Sequence, residues 1–193
     1  EVEVIADETA NPDFIAADFL SQAEHGVDSQ AILVTASETI VEPVARAIQE
    51  QLDRLPRKEI TEKSLVHSRI IVLKDSQEVV DFTNQYAPEH LIIQTADYTA
   101  IAERIENAGS VFMGPYTPES AGDYASGTNH TLPTNGYAKA YSGVNLDSFI
   151  KKITFQEISS DGIRALGSTI QSMAANEHLD AHRNAVTIRL NTI

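Results

Sequence analysis

The chain has 193 residues, 42% of them hydrophobic and 22% charged, which is enough apolar material for a buried core and excludes a disordered protein. Twenty-eight acidic residues against 14 basic ones give a net charge of −14, a surface that repels phosphate backbones and argues against nucleic acid and anionic membranes as partners. The absence of cysteine removes disulfides, thiolate metal sites and any thiol nucleophile from this chain, and makes the cytoplasm the default compartment.

Residues 2–6 (VEVIA) are apolar and β-branched, as a buried strand should be. A chain that opens inside a strand is expected to continue an upstream half. Asn11 and Pro12 supply an N-cap followed by proline at the first helical position. The helix they open is predicted to reach His25 and to stop at Gly26. Residues 30–35 (QAILVT) form the next strand, and Ser37 with Glu38 opens a helix ending near Leu55, broken by Pro56. A short helix is predicted over residues 58–65, a strand over 68–73, a helix over 76–86 and a strand over 91–94. A helix over 98–107 and a strand over 110–113 complete the alternation.

Strands alternating with helices of this length predict an α/β fold with a doubly wound, mostly parallel sheet, an incomplete Rossmann-like domain over residues 1–144. The alternation stops at Gly114. The Gly-, Pro-, Ser-, Thr- and Asn-rich segment 114–143 is long for a loop, and loops of that length are usually functional. Residues 145–193 form a helical tail: a strand-like 153–158, then helices over 160–176 and 179–193. Such a tail is too thin for its own core and must pack on something else, either its own α/β domain or a second subunit. No apolar run approaches the ~18 residues of a membrane helix, and no basic-then-apolar leader is present, so a soluble chain is expected.

Four places carry residues suited to chemistry. In the first helix, Ile15, Phe19 and Gln22 lie on one face, so Gln22 continues an apolar stripe where a long amide needs partners. His25 follows three residues on, adjacent on the same surface. The pair could ligate a cation or merely cap the helix end. At 87–90 (APEH), Pro88 forces a turn, and Glu89 and His90 stand at its exit, just before a strand. They offer two groups for sequential proton transfers, or an ordinary ion pair on a turn.

The third place is 117–134 (TPESAGDYASGTNHTLPT), where Asp123 lies among glycines close to His130. Glycines let a ligand approach the backbone, and the carboxylate suits a metal or an amine; the alternative is a polar surface loop. GDYASGTN lacks the lysine of a phosphate loop, and no GxGxxG fingerprint occurs anywhere in the chain. In the tail, Glu177, His178 and His182 cluster at a helix junction. A continuous helix would make His178 and His182 an i, i+4 zinc pair, although HLDAH lacks the glutamate of HExxH. Helix-end histidines favourable to the dipole are the other reading.

Taken in order, DFLSQAEHGVDSQ (18–30), YAPEHL (86–91), GPYTPESAGDYASGTNHTLPT (114–134) and NEHLDAHRNAVTIR (176–189) resemble the C-terminal part of the L-histidinol dehydrogenases. The resemblance implies an NAD-dependent, Zn2+-dependent oxidation of L-histidinol to L-histidine through the aldehyde, closing histidine biosynthesis. It implies zinc ligands at Gln22, His25, Asp123 and His182, and Glu89 and His90 as the acid–base pair. Gln22, His25, His90, Asp123, Glu177 and His182 would contact substrate, and His130 would lie close by. It further implies a homodimer in which the tail's Glu177 and His182 complete the partner's site. Family members have roughly twice this length, with their nicotinamide contacts in the other half. No NAD-binding residue is therefore assigned, and the chain alone is expected to be inactive. A non-catalytic metal-binding or dimerisation module, and a zinc hydrolase built on Asp123, His25 and His182, are the competing readings.

Overall fold

Every residue from Glu1 to Ile193 is described in a computed structural model, in which five β-branched segments align as one parallel sheet. The strands are β1 (Val2–Ala6), β2 (Ala31–Thr35), β3 (Arg69–Val72), β4 (His90–Gln94) and β5 (Ser110–Met113). Their order is β3-β2-β1-β4-β5, and every pairing is parallel. This is the strand order of a doubly wound fold up to its fifth strand. β1, β2 and β4 are buried along their whole length, the mark of strands covered on both faces. The register puts Val2, Ala31, His90 and Ser110 in one row, so His90 sits at the amino edge of the sheet.

The helices are α1 (Pro12–Ala23), α2 (Val41–Leu52), α3 (Lys58–Leu65), α4 (Ser76–Tyr86), α5 (Tyr98–Ala102), α6 (Glu119–Tyr124), α7 (Ser160–Asn176) and α8 (Asp180–Leu190). On one face of the sheet Ile15 and Phe19 of α1 and Val44 of α2 pack against Val2, Val4, Leu33, Ile92 and Phe112. On the other, Val79 of α4 packs against Ile5, Ile32, Val34, Leu91 and Ile93. Each such side chain contributes about 1.5–3 kcal/mol on burial. Two acids enter these layers. Glu3 accepts from Thr83 Oγ1, and burial pushes its carboxyl up to about 8. Asp18 accepts from Gln94 Nε2 at 2.8 Å and is pushed up to about 7, again by burial.

Several expected elements differ. α1 ends at Ala23, and Gly26 is not left-handed; the closing bond runs from the His25 N–H to the Gln22 carbonyl, a tighter final turn. A 3-10 turn, Glu38–Ile40, precedes α2, which ends at Leu52. α5 ends at Ala102 because the following backbone is captured by another helix: Asn84 Oδ1 accepts from the N–H groups of Glu106 and Asn107, and its Nδ2 donates to the Arg104 carbonyl. The loop after β5 contains α6. Residues 153–158 form no strand, since no neighbouring strand pairs with them, and they are exposed. His178 is left-handed, with φ 59°, and breaks the path between α7 and α8, so His178 and His182 do not share a continuous helix.

The chain divides into two compact units, Glu1–Phe149 and Ile150–Ile193. In the second, α7 and α8 pack on one another, with Ala174 and Val186 buried and Gln171 Nε2 donating to Thr187 Oγ1 at 2.6 Å.

Candidate active site and metal group

At the amino edge of the sheet, three segments bring polar side chains together. The first is α6. Gly114, with φ 83°, turns the chain out of β5, and Thr117 Oγ1 donates to the Met113 carbonyl before the helix starts. Glu119 and Asp123, four apart, share one face of this single turn. A Cβ on Gly122 would lie 2.6 Å from Cε1 of Phe112, so only glycine lets α6 lie this close to β5. The second is the end of α1, where Gln22 is buried and His25 lies just past the helix, exposed. One donor atom each from His25, Glu119 and Asp123 falls within 4.8 Å of the others.

The third segment is the α4–β4 turn. Ala87 adopts a left-handed conformation that ends α4, and Pro88 carries the chain away from helix. The Gly109 and Ser110 N–H groups then donate to the carbonyls of Pro88 and Glu89, both at 2.9 Å. His90, 6% exposed, thereby reaches the edge with its ring toward the group. Its Nδ1 lies 3.8 Å from Glu89 Oε2 and 3.8 Å from Glu119 Oε1; its Nε2 lies 3.9 Å from Asp123 Oδ1.

Electrostatics set the protonation of these groups. Burial pushes the Glu119 carboxyl up to about 8, and the neighbouring Asp123 carboxylate adds to it. Burial lowers the His90 imidazole below the ordinary histidine value, with the Glu89 carboxylate opposing. A buried ring held neutral suits a general base. Two buried acceptor-capable atoms, Gln22 Oε1 and His90 Nε2, have no hydrogen-bond partner. Imidazole, carboxylate and amide oxygens are the donor set that zinc takes in mixed N/O sites, so these residues fit the implied metal.

The residues singled out by sequence thus fall into two sets. Gln22, His25, Glu89, His90 and Asp123 all belong to the first unit, and His25, His90 and Asp123 stand at the group just described. His130 is exposed and is not among those donors. Glu177, His178 and His182 belong to the second unit, where all three are exposed. Glu119 was not anticipated. Its signal was the four-residue spacing to Asp123, unreadable without a helix predicted there.

The opposite, carboxyl edge holds a cavity of about 350 Å3 lined by Ile5, Asp7, Ala36, Ser76, Asp97 and Arg104 among others. It lies where the strand order reverses between β1 and β4, the usual crevice for a nucleotide. Two helix starts beside it are capped by acidic side chains: Asp75 accepts from the N–H groups of Gln77 and Glu78, and Asp97 from that of Ala100. With Asp7 and Glu8 alongside, the crevice does not fit a dinucleotide pyrophosphate.

A family model described as histidinol dehydrogenase matches residues 1–190. Among curated relatives, a histidinol dehydrogenase of Bacteroides fragilis (strain YCH46) is 66% identical over all 193 residues of the chain, which cover 45% of that protein. One from Campylobacter jejuni (strain RM1221) is 53% identical over the same span, again 45% of its length. A crystal structure of histidinol dehydrogenase from Elizabethkingia anophelis superimposes with a TM-score of 0.92 at 55% identity, covering 99% of this chain and 44% of that one. The chain therefore spans somewhat under half the length of the relatives it matches.

Proposed function

Because the chain belongs to the histidinol dehydrogenase family, we propose that it carries the metal-binding and acid–base part of an enzyme that oxidises L-histidinol to L-histidine. The observation that supports this best is that His25 and Asp123 bring donor atoms within 4.8 Å of one another beside a buried His90 whose Nε2 is unengaged. Gln22, His25, Asp123 and, from the second unit, His182 are the proposed zinc ligands. Zinc, when bound, supplies a Lewis-acid template for the imidazole and amine of the substrate. NAD, when bound, accepts the hydride. Its contacts are assigned outside this chain, since no fingerprint is present and the crevice here does not fit it.

The chain's own residues move protons. His90, kept neutral by burial, takes the hydroxyl proton as the alcohol is oxidised to the aldehyde. Glu89 removes a proton from the water that hydrates the aldehyde, and a second oxidation of the hydrate gives the carboxylate. A thiol adduct is not open to this chain, which has no cysteine. Glu177 holds the substrate, and the tail delivers Glu177 and His182 to the partner of a homodimer. Nucleic acid remains an unsuitable partner for a surface of net charge −14, and no helix is long and apolar enough to cross a membrane. A biosynthetic role places the protein in the cytoplasm.

The test is histidinol-dependent NADH formation by the full-length protein with zinc, expected at two NADH per histidinol. Absence of turnover in zinc-replete protein refutes the reading and leaves a zinc hydrolase or a metal-binding module.

A further inference from the structure

The two ring nitrogens of His90 have unlike surroundings. Nδ1 is ringed by oxygen: the Glu1 carbonyl at 3.3 Å, Glu89 Oε2 at 3.8 Å and Glu119 Oε1 at 3.8 Å. Nε2 is buried, makes no hydrogen bond, and has Asp123 Oδ1 at 3.9 Å. A neutral imidazole donates from one nitrogen and accepts at the other, and the neighbours of one fix the role of both. A carbonyl oxygen can only accept. At 3.3 Å the Glu1 carbonyl is a long partner, so the oxygens around Nδ1 together favour the proton there and leave the Nε2 lone pair toward the metal group.

Glu119 is the most enclosed of the three neighbours, 2% exposed, and the proposed mechanism gives it no task. Its other oxygen, Oε2, is directed to Ser21 Oγ at 3.5 Å, which leaves Oε1 for the ring. The backbone beneath it is fixed by the contact of Gly122 on Phe112, and Phe112 also flanks the His90 ring, with centroids 6.0 Å apart. Resting on the reading of His90 as the base, we propose that Glu119 is a positioning residue. It holds the His90 imidazole in the Nδ1–H form, so that Nε2 remains the basic atom. The role needs an acceptor oxygen and no charge, and a carboxylate, a neutral carboxyl and a primary amide all have one.

The full-length protein with Glu119→Gln and, separately, Glu119→Met tests this. Glutamine keeps the acceptor oxygen and should hold kcat within about fivefold of wild type. Methionine fills similar space without an acceptor and should lower kcat by about 10–100-fold, as loss of an orienting partner does, with KM within about threefold. Zinc content and Tm should match wild type. In protein with 15N-labelled histidine, the His90 proton should sit on Nδ1 in wild type and Glu119→Gln, and be shared between nitrogens in Glu119→Met. A Met variant with wild-type kcat and tautomer overturns the proposal. So does a Gln variant as impaired as Met, which would assign the effect to the carboxyl's own proton or charge. A loss in Met reversed by added zinc also overturns it, making Glu119 a ligand. If wild type does not oxidise histidinol, the functional reading falls, while the ring-nitrogen spectra still decide the role of Glu119.

Discussion

Gly122 and Phe112 touch so closely that a single added carbon at the glycine would stand 2.6 Å from the ring edge. Phe112 is packed in the core with Ile15, Phe19 and Ile92 and has little room to yield. Gly122→Ala should therefore push α6 outward, and Glu119 and Asp123 with it. The overpacking costs about 1–3 kcal/mol, and zinc affinity should drop by about 10–100-fold. Adding Phe112→Leu should recover part of that affinity. Metal-binding titrations of the two variants check it; an alanine variant with wild-type affinity would show that the contact does not place the ligands.

The Glu3–Thr83 contact makes a prediction about pH. Glu3 lies in the middle of β1, fully buried, and its carboxyl titrates near 8 instead of the ordinary 4.5. The folded state holds the proton more tightly than the unfolded chain does. The stability this contributes is complete below pH 4.5 and is lost as pH rises through 8. Wild-type Tm should fall across that window, and Glu3→Gln should remove part of the slope, an effect of at most a few kcal/mol. At pH 5 the variant should be the less stable of the two, since its amide N–H groups are buried without an acceptor. Parallel Tm curves from pH 5 to 9 for both proteins would refute the assignment.

What the sequence revealed and what it hid follow from the range of the forces involved. The buried strands were legible because β-branched runs such as AILVT and LIIQ declare themselves locally, and α4 spans the predicted 76–86, with Pro88 forcing the turn after it. Strand order was not written in any one segment. α5 looked longer than it is because the groups that end it belong to Asn84, some twenty residues earlier. ITFQEI alternates like a strand, but pairing needs a neighbour that is not there. α6 was hidden by its glycine and the prolines before it. That Gly122 permits the approach to Phe112 is a tertiary fact, and Glu119 stayed unnoticed with the helix. His25 and Asp123 were found through their resemblance to family motifs, since ninety-odd residues separate them and no local pattern links them.

The proposed division of labour between Glu89 and His90 would separate the two oxidations. His90→Gln removes the base for the alcohol step and should lower kcat for histidinol by about 10²–10⁴-fold. Glu89→Gln should leave the first oxidation closer to normal and depress conversion of supplied histidinaldehyde to histidine. Single-turnover assays started from each substrate measure the steps apart. Equal losses on both substrates in both variants would mean that the residues act as one unit.

The last prediction concerns the tail. α7 and α8 bury only a few residues against one another, among them Ala174 and Val186, and that contact alone gives a two-helix hairpin little stability. Glu177 and His182 are exposed on this unit, whereas His25 and Asp123 belong to the other. If the tail serves a partner's site, defects in the two units can complement one another. A His25→Ala homodimer and a His182→Ala homodimer should each be nearly inactive. Dissociating and reassociating them together should yield mixed dimers in which one of the two sites draws both ligands from intact chains. Such a dimer has half the wild-type number of working sites, and random pairing makes half of the dimers mixed, so about one quarter of wild-type activity should return. Activity that never rises above that of the parent homodimers, in a mixture shown by mass spectrometry to have exchanged subunits, would place His182 in the site of its own chain.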